Sequence, residues 1–587
     1  MIALAFEGPL YNEPETFVEL GRGLLKSAPL MRLFPFAILL SAVCLLAQDA
    51  ATIRVDASAS LGPRKPVWAF FGYDEPNYTY MKDGRKLLTE LQALSPVPVY
   101  VRAHSLLTTG DGKPSLKWGS TNAYTEDANG KPKYDWTIVD RIFDTYIERK
   151  MKPLVEIGFM PEALSVKPQP YRHNWDPSQP TGSIVAGWAY PPKDYDKWSA
   201  LIEEWVKHCV ERYGKREVES WWWEVWNEPN ISYWQSTPAE YHKLYDYSVA
   251  AAKKALPSIR IGGPTSTGPG SDQAAKFLRE FLEHVIRGKN YKTGQTGTPI
   301  DYISFHAKGR PSVVDGHVRM GSEFQMRDVN RGFEIAASFP ELKNIPIIIG
   351  ESDPEGCAAC SARYNPQNNY RNGTMYPSYT AATFARKYDL AARHHVNFEG
   401  AVTWAFEFED QPWFEGFRDL ATNGVDKPVL GVFQMFGMMG REGIGVQSDR
   451  AVSTDEMLKG GVKGAADING FAARAPRSVD VMVWNYHDDD VAAPDATVSV
   501  PVAGLPLDVK RVLVRHYRVD RDHSNSYAVW KSMGSPQHPS REQYFQLERS
   551  GQLELLESPK WISVVGGKAE VTFSLPRQGV SLIQFGW

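Results

Sequence analysis

The chain has 587 residues, 43% of them hydrophobic and 23% charged, which is more than one hydrophobic core usually accommodates. Its 65 basic and 69 acidic residues leave a formal charge of −4, so no basic excess exists to neutralise a phosphate backbone, and a nucleic-acid partner is disfavoured. The unusual figure is aromatic: 18 Trp, 27 Tyr and 26 Phe, which suits either a large aromatic core or a cleft whose ring planes meet the C–H faces of sugars.

At the N-terminus, Met31 and Arg32 precede an apolar run from Leu33 to Ala47, and Gln48-Asp49 follow it. A short basic start, an apolar stretch of this length and a small residue before polar ones describe a secretory signal peptide over 31–47. The run is short for a transmembrane helix, although a plain anchor is the competing reading. Residues 1–30 read as an over-extended start and receive no fold. The mature protein is expected to be exported, without stable membrane insertion after the signal is cleaved.

From 65 to 430 short apolar runs alternate with amphipathic segments. The runs are Val67–Gly72, Val99–Ala103, Pro153–Ile157, Trp221–Trp226, Ile259–Gly263, Tyr302–His306, Ile345–Ile349 and Gly400–Ala405. Helical periodicity fills Thr137–Arg149, Asp194–Tyr213, Pro238–Ala255, Asp272–Ile286 and Tyr379–His394. Strands alternating with helices imply a parallel sheet, and eight repeats predict an α/β fold, a (β/α)₈ TIM barrel. A doubly wound open sheet is the alternative, but no glycine-rich phosphate loop follows the first strand. From 431 to 587 the texture turns to strands: Val479–Tyr486, Ala496–Val500, Lys510–Tyr517, Trp561–Val565 and Lys568–Phe573. They predict a C-terminal antiparallel β-sandwich domain, which a strand in 51–64 can join. Asp488-Asp489-Asp490 reads as a solvated turn. Of the four cysteines, Cys357 and Cys360 form a single C-x-x-C pair; in an exported chain this favours a local disulfide over two free thiols.

Chemistry in such barrels sits at the C-terminal strand ends. The fourth run ends in Trp226-Asn227-Glu228-Pro229 and the seventh in Gly350-Glu351-Ser352-Asp353-Pro354. Two carboxylates across a sugar-sized cleft are the minimum for glycoside hydrolysis: one protonates the leaving oxygen, and the other attacks the anomeric carbon or activates water. Asn227 can bond the hydroxyl beside the reacting carbon. Glu224 shares the parity of Glu228 but lies deeper, and reads as structural. No metal or other cofactor is called for, since neither His-x-His nor clustered carboxylates mark a strand end.

Trp-Asn-Glu-Pro at strand four with Glu at strand seven resembles the retaining barrel glycosidases, and more closely glycoside hydrolase family 39. Val101-Arg102-Ala103-His104, the run Pro153 to Glu162, Phe305-His306-Ala307-Lys308-Gly309, His516 to Asp520 and His523 to Tyr527 are similar to that family. The resemblance spans 51–587. It implies double displacement with retention, Glu228 as acid/base and Glu351 as nucleophile, acting on an oligosaccharide or glycoside. Glu228 must be protonated to act as an acid, and an apolar wall such as Trp226 favours that form. Glu351 must stay ionised; Arg102 is the candidate cation beside it, or else part of a structural ion pair. His104 and His306 end strands two and six and can reach sugar hydroxyls, Trp404 can stack under the ring, and Glu162 either binds a hydroxyl or caps a loop. Each also has a purely structural reading.

The family contains β-xylosidases and α-L-iduronidases, which differ at C5: hydrogen in one sugar, carboxylate in the other. Lys308 and the Glu-x-Asp-Pro run look like the iduronidases, as do Asp410 and Arg418 after strand eight, while export in a bacterial-looking context favours xylan. The expected activity is that of an exo-acting β-D-xylosidase on xylo-oligosaccharides. Iduronidase-like, β-glucosidase or β-galactosidase specificity stands as an alternative, with a non-catalytic carbohydrate-binding protein more remote.

Overall fold

Isoleucine, valine and aromatic runs bounded by polar segments form parallel strands buried on both faces. The computed structural model describes residues 50–178 and 185–587, so the expected start (1–30) and signal (31–47) lie outside the described residues. Barrel strands one to seven are Phe70–Tyr73, Tyr100–Ala103, Lys152–Ile157, Trp222–Val225, Arg260–Ser266, Ile303–Lys308 and Ile347–Asp353. Each pairs in parallel with the next. The eighth is split at Val402: Phe398–Ala401 pairs with strand seven and Thr403–Trp404 with strand one. The Val402 amide donates to Ile349 O at 2.8 Å, and the Ala401 amide to Val67 O at 2.8 Å, which nearly closes the ring.

The surrounding helices follow from local signals. Asp194 caps Tyr195–Tyr213 by accepting from two backbone amides, Ser271 caps Asp272–Arg287, and Pro238 opens Pro238–Ala255 after the Thr237 cap. On Asp272–Arg287 the buried residues Phe277, Leu278, Phe281, Leu282 and Val285 recur every three or four positions and form the stripe facing the barrel. Among the described residues no helix is long and apolar enough to cross a membrane.

The other sheet has ten strands and is mostly antiparallel. Its path runs Glu554–Leu555, Arg511–Val519, Val580–Gly586, Ser478–Tyr486, Asp467–Ala475, Glu442–Ser448, Ala51–Pro63, Ala496–Ala503, Ala569–Leu575, with Lys560–Ser563 on Arg511–Val519. The N-terminal strand sits inside it, antiparallel to Glu442–Ser448 and parallel to Ala496–Ala503. Val481, Val498, Val500, Val512, Leu575, Ile583 and Phe585, from strands far apart along this path, share one core. The expected sandwich is therefore one continuously bonded sheet that curls around its apolar side chains.

Two expectations about this region are corrected. Helices Thr454–Gly460, Ser526–Ser532 and Arg541–Gly551 interrupt the strands, the last announced by a Ser540–Gln543 capping box. Asp488 is buried rather than solvated, accepting from Tyr486 Oη at 2.5 Å and the Val462 amide at 3.0 Å. Asp489 forks onto Arg319 at 2.5 and 2.8 Å, because the hairpin after strand six docks on this turn.

The helix Met375–His394 joins sheet to barrel through Asp467, whose buried carboxylate takes Arg386 Nη2 at 2.9 Å, Trp484 Nε1 at 2.7 Å and the Val452 amide at 2.8 Å. Arg386→Met leaves that charge without its cation, and should cost about 3–5 kcal/mol of stability in urea unfolding; a loss below about 1 kcal/mol would remove Asp467–Arg386 as the tie.

Candidate active site

Strands two, three, four and seven each contribute one charged side chain to the barrel interior, and Arg102 joins them. Its guanidinium is fully buried. It donates to Glu224, to Glu351 Oε1 at 3.1 Å, and through Nη2 to Glu156 Oε2 and Asn227 Oδ1, each at 3.0 Å. Glu224 is thus a structural partner. Asn227, its carbonyl committed to Arg102, turns its two N–H donors elsewhere. Burial opposes the charge on Arg102, and the three glutamates outweigh it and hold the guanidinium ionised.

Glu351 carries the densest cationic surroundings. Oε1 faces Arg102 and His104 Nε2 at 3.3 Å; Oε2 takes Lys308 Nζ at 2.5 Å and lies 3.8 Å from His306 Nδ1. Burial pushes this carboxyl up, but Lys308, the histidines and Arg102 prevail and hold it well below the usual carboxylate range. Gly350 makes the packing possible: a Cβ there would stand 2.9 Å from Ser304 Oγ and 3.1 Å from His306 Nε2. Lys308 also bonds Asp353 at 2.7 Å, and Asp353 accepts from the Trp404 amide at 2.8 Å.

Glu228 sits opposite, partly exposed, on a backbone held at φ +47° with its amide bonded to Thr265 O. Its Oε1 meets His306 Nδ1 at 2.8 Å. The Trp226 ring packs on Phe159 and Trp234. Single side-chain atoms of Glu228, His306 and Glu351 lie within 4.8 Å of one another. A metal ion would fit that spacing, but Arg102, His104 and Lys308 already neutralise Glu351, so the donor set suits an acid and a nucleophile better than a dication.

His104 ends strand two between Glu156 Oε2 at 2.5 Å and Asp74 Oδ1 at 3.3 Å. Burial disfavours its charge, yet Glu156 and Glu351 prevail and push it up to about 9. Beside it opens a cavity lined by Asp74, Lys117, Trp118, Phe159, His173, Trp188 and Tyr233. Of these seven, sequence reading touched only Phe159, within the run Pro153 to Glu162. Several lie in the long loops after strands two and three, and such loop length was the available signal.

The places of four further expected residues are as follows. Trp404 is buried beneath the site, its ring 4.3 Å from that of His104 and 4.8 Å from the Arg102 guanidinium; Gly72 leaves it room, since a Cβ there would meet the indole at 2.4 Å. Arg418 is fully buried, bonded to Trp404 O at 2.9 Å and paired with Glu355 at 2.6 Å. Asp410 is outside the cavity lining, on the strand-eight loop. Glu162 lines a separate surface cleft and bonds Gln169. Cys357 and Cys360 are disulfide-bonded in the loop after strand seven.

His104 gains its charge partners on folding, so its stabilisation is complete below its unfolded value of about 6.5 and disappears as pH rises through about 9. Melting curves from pH 6 to 9.5 should show a loss of stability in the wild type that is absent in His104→Gln; parallel curves would refute it.

The sequence matches the family described as "Glycosyl hydrolases family 39" over residues 51–562. It is 27% identical over 457 residues to a β-xylosidase of Geobacillus stearothermophilus, covering 76% of this chain and 78% of that one. It is 24% identical over 541 residues to the α-L-iduronidase of Mus musculus, covering 87% and 77%. A solved β-xylosidase of Caulobacter crescentus CB15 shares the fold, with a TM-score of 0.70 at 23% identity over 92% of this chain and 99% of that one. With a nearly closed parallel barrel bearing two facing glutamates and a family match across most of its length, the chain belongs to glycosyl hydrolase family 39 and is a glycosidase.

Proposed function

We propose that the chain is an exo-acting β-D-xylosidase that hydrolyses xylo-oligosaccharides by double displacement with retention. Glu228 protonates the leaving oxygen while Glu351 attacks the anomeric carbon; the glycosyl ester then loses its sugar to a water that Glu228 deprotonates. One oxygen of each carboxylate comes within 4.8 Å of the other, an approach compatible with the separation of about 5–5.5 Å in retaining pairs. Arg102, His104 and Lys308 keep Glu351 anionic before attack.

The observation that carries the choice of sugar is the state of the cations. Lys308 is spent on Glu351 and Asp353, Arg418 on Glu355, and Lys117 on Asp74 at 2.6 Å. A C5 carboxylate would need an available positive charge, and these three are committed to protein carboxylates. A neutral pentose makes no such demand. The identity to β-xylosidases, 27% and 28% in two bacterial cases, points the same way. The iduronide reading retains one specific support: Lys308 is 16% exposed and touches the nucleophile.

Glu351→Ala should abolish turnover of aryl glycosides, with azide restoring it to an inverted product. Glu228→Ala should lower kcat about 10²–10⁴-fold on poor leaving groups, spare good ones, and give a retained azide product. Near-wild-type activity in either variant would defeat the assignment and favour a binding protein. In a panel of aryl β-D-xyloside, β-D-glucoside, β-D-galactoside and α-L-iduronide, the xyloside should have the highest kcat/KM. A dominant iduronide rate that Lys308→Ala selectively removes would reverse the choice of sugar.

A further inference from the structure

Lys308 is the last residue of strand six, and its ammonium reaches Glu351 Oε2 at 2.5 Å and Asp353 Oδ2 at 2.7 Å. A lysine stem is flexible, so the position of the charge depends on where the stem starts. The helix Ser322–Ala337, which follows strand six, fixes that start with two side chains. Asp328 Oδ2 accepts the Lys308 amide at 3.0 Å, and Oδ1 accepts the amide of Gly270, in the loop after strand five, at 2.8 Å. Gln325 Nε2 donates to Ala307 O at 3.2 Å and to Asp353 O at 3.1 Å, at the paired ends of strands six and seven. Tyr379 Oη donates to Gln325 Oε1 at 2.9 Å, which sets the amide with its donors toward those ends. Three residues apart, Gln325 and Asp328 share one helix face.

The close approach of Asp328 depends on glycine: a Cβ on Gly268 would stand 2.0 Å from its Oδ2, and one on Gly270 2.4 Å from its Oδ1. Burial pushes the Asp328 carboxyl up to about 6 against the pull of the two amides, so at neutral pH it is an anion and a strong acceptor. The helix is held elsewhere too. Glu323 pairs with Lys463 at 2.6 Å, and Arg327 donates to Leu458 O at 2.8 Å and to Lys459 O at 2.7 Å. It is thus fixed between the Thr454–Gly460 region and the ends of strands six and seven. The Lys308 side chain is 16% exposed, which leaves few rotamers to absorb a displaced backbone.

We propose that Asp328, with Gln325 beside it, is a positioning residue for the reaction: it sets the backbone of Lys308 so that the ammonium stays against Glu351. This rests on the reading of Glu351 as the nucleophile. Asp328 acts only through Lys308, and the same carboxylate ties the loop after strand five to the end of strand six.

The test is a double-mutant cycle between Asp328→Asn and Lys308→Met, read as kcat/KM on the 2,4-dinitrophenyl form of whichever glycoside the enzyme turns over fastest. That leaving group needs no protonation, so the rate follows attack by Glu351 rather than proton donation by Glu228. Asparagine keeps the shape of Asp328 and one acceptor oxygen, and leaves one of the two amides without its acceptor. Lys308→Met should lower kcat/KM about 100-fold, and Asp328→Asn about 10-fold in the wild-type background. With Lys308→Met already in place, Asp328→Asn should cost less than about 2-fold, because the ammonium it aims is gone. Melting curves check that each variant is folded; if Asp328→Asn does not fold, Gln325→Met goes through the same cycle with the same expectation. A merely structural role lowers the rate by one factor in both backgrounds, which would overturn the proposal. A wild-type rate in Asp328→Asn or in Lys308→Met would overturn it as well. These outcomes leave the glycosidase reading standing, whereas an active Glu351→Ala enzyme would sink both.

Discussion

Arg102 is one buried positive charge on which Glu156, Glu224, Glu351 and Asn227 converge. These partners belong to strands three, four and seven and the turn after strand four. A guanidinium is planar and offers five donors in a fixed fork, so it constrains the direction as well as the distance of each. Taking that charge out of water is costly, and the cost is offset only while the acceptors remain in place. The barrel centre is therefore held by an ionic network where an apolar layer would be the simpler choice. Glu351 is one of its members, so holding the fold together also orients that carboxylate.

Around this centre the charges are layered. Arg102, His104 and Lys308 face Glu351; Glu156 and Asp74 hold His104; Asp353 holds Lys308. Trp404 lies under Arg102 and His104, while Arg418 bonds its carbonyl and pairs with Glu355. Glu228 stands apart from the network, held by His306 and more open to solvent than its partner. That contrast puts the two carboxylates of one cleft in different electrostatic surroundings.

Much of this was legible before any coordinates. The apolar runs located all eight strands to within a few residues, and the residues ending runs four and seven singled out Glu228 and Glu351. Arg102 was legible as a neighbour of Glu351, but its hold on Glu156, Glu224 and Asn227 was not, because those contacts join residues 54 to 125 positions apart. Asp488 read as a turn since local sequence shows acidity and not what docks on it. The aromatic excess divides in the same way. Trp221 and Trp223 pack with Phe143 and Trp205 beneath the helices, whereas Trp118 and Trp188 line the cavity.

The sequence by itself determined the periodicities, the strand-end glutamates and the balance of charge, because each is a property of neighbouring residues and of the alternation that burial imposes. Tertiary structure decided which cations remain available to a ligand. Lys308 and Arg418 read as candidates for a uronate, and folding places Asp353, Glu355 and Glu351 against them. It also decided which loops line the cavity beside His104. Pairing a buried charge and closing a cavity both depend on groups remote along the chain, and only their distances in space say whether a charge is spent or free.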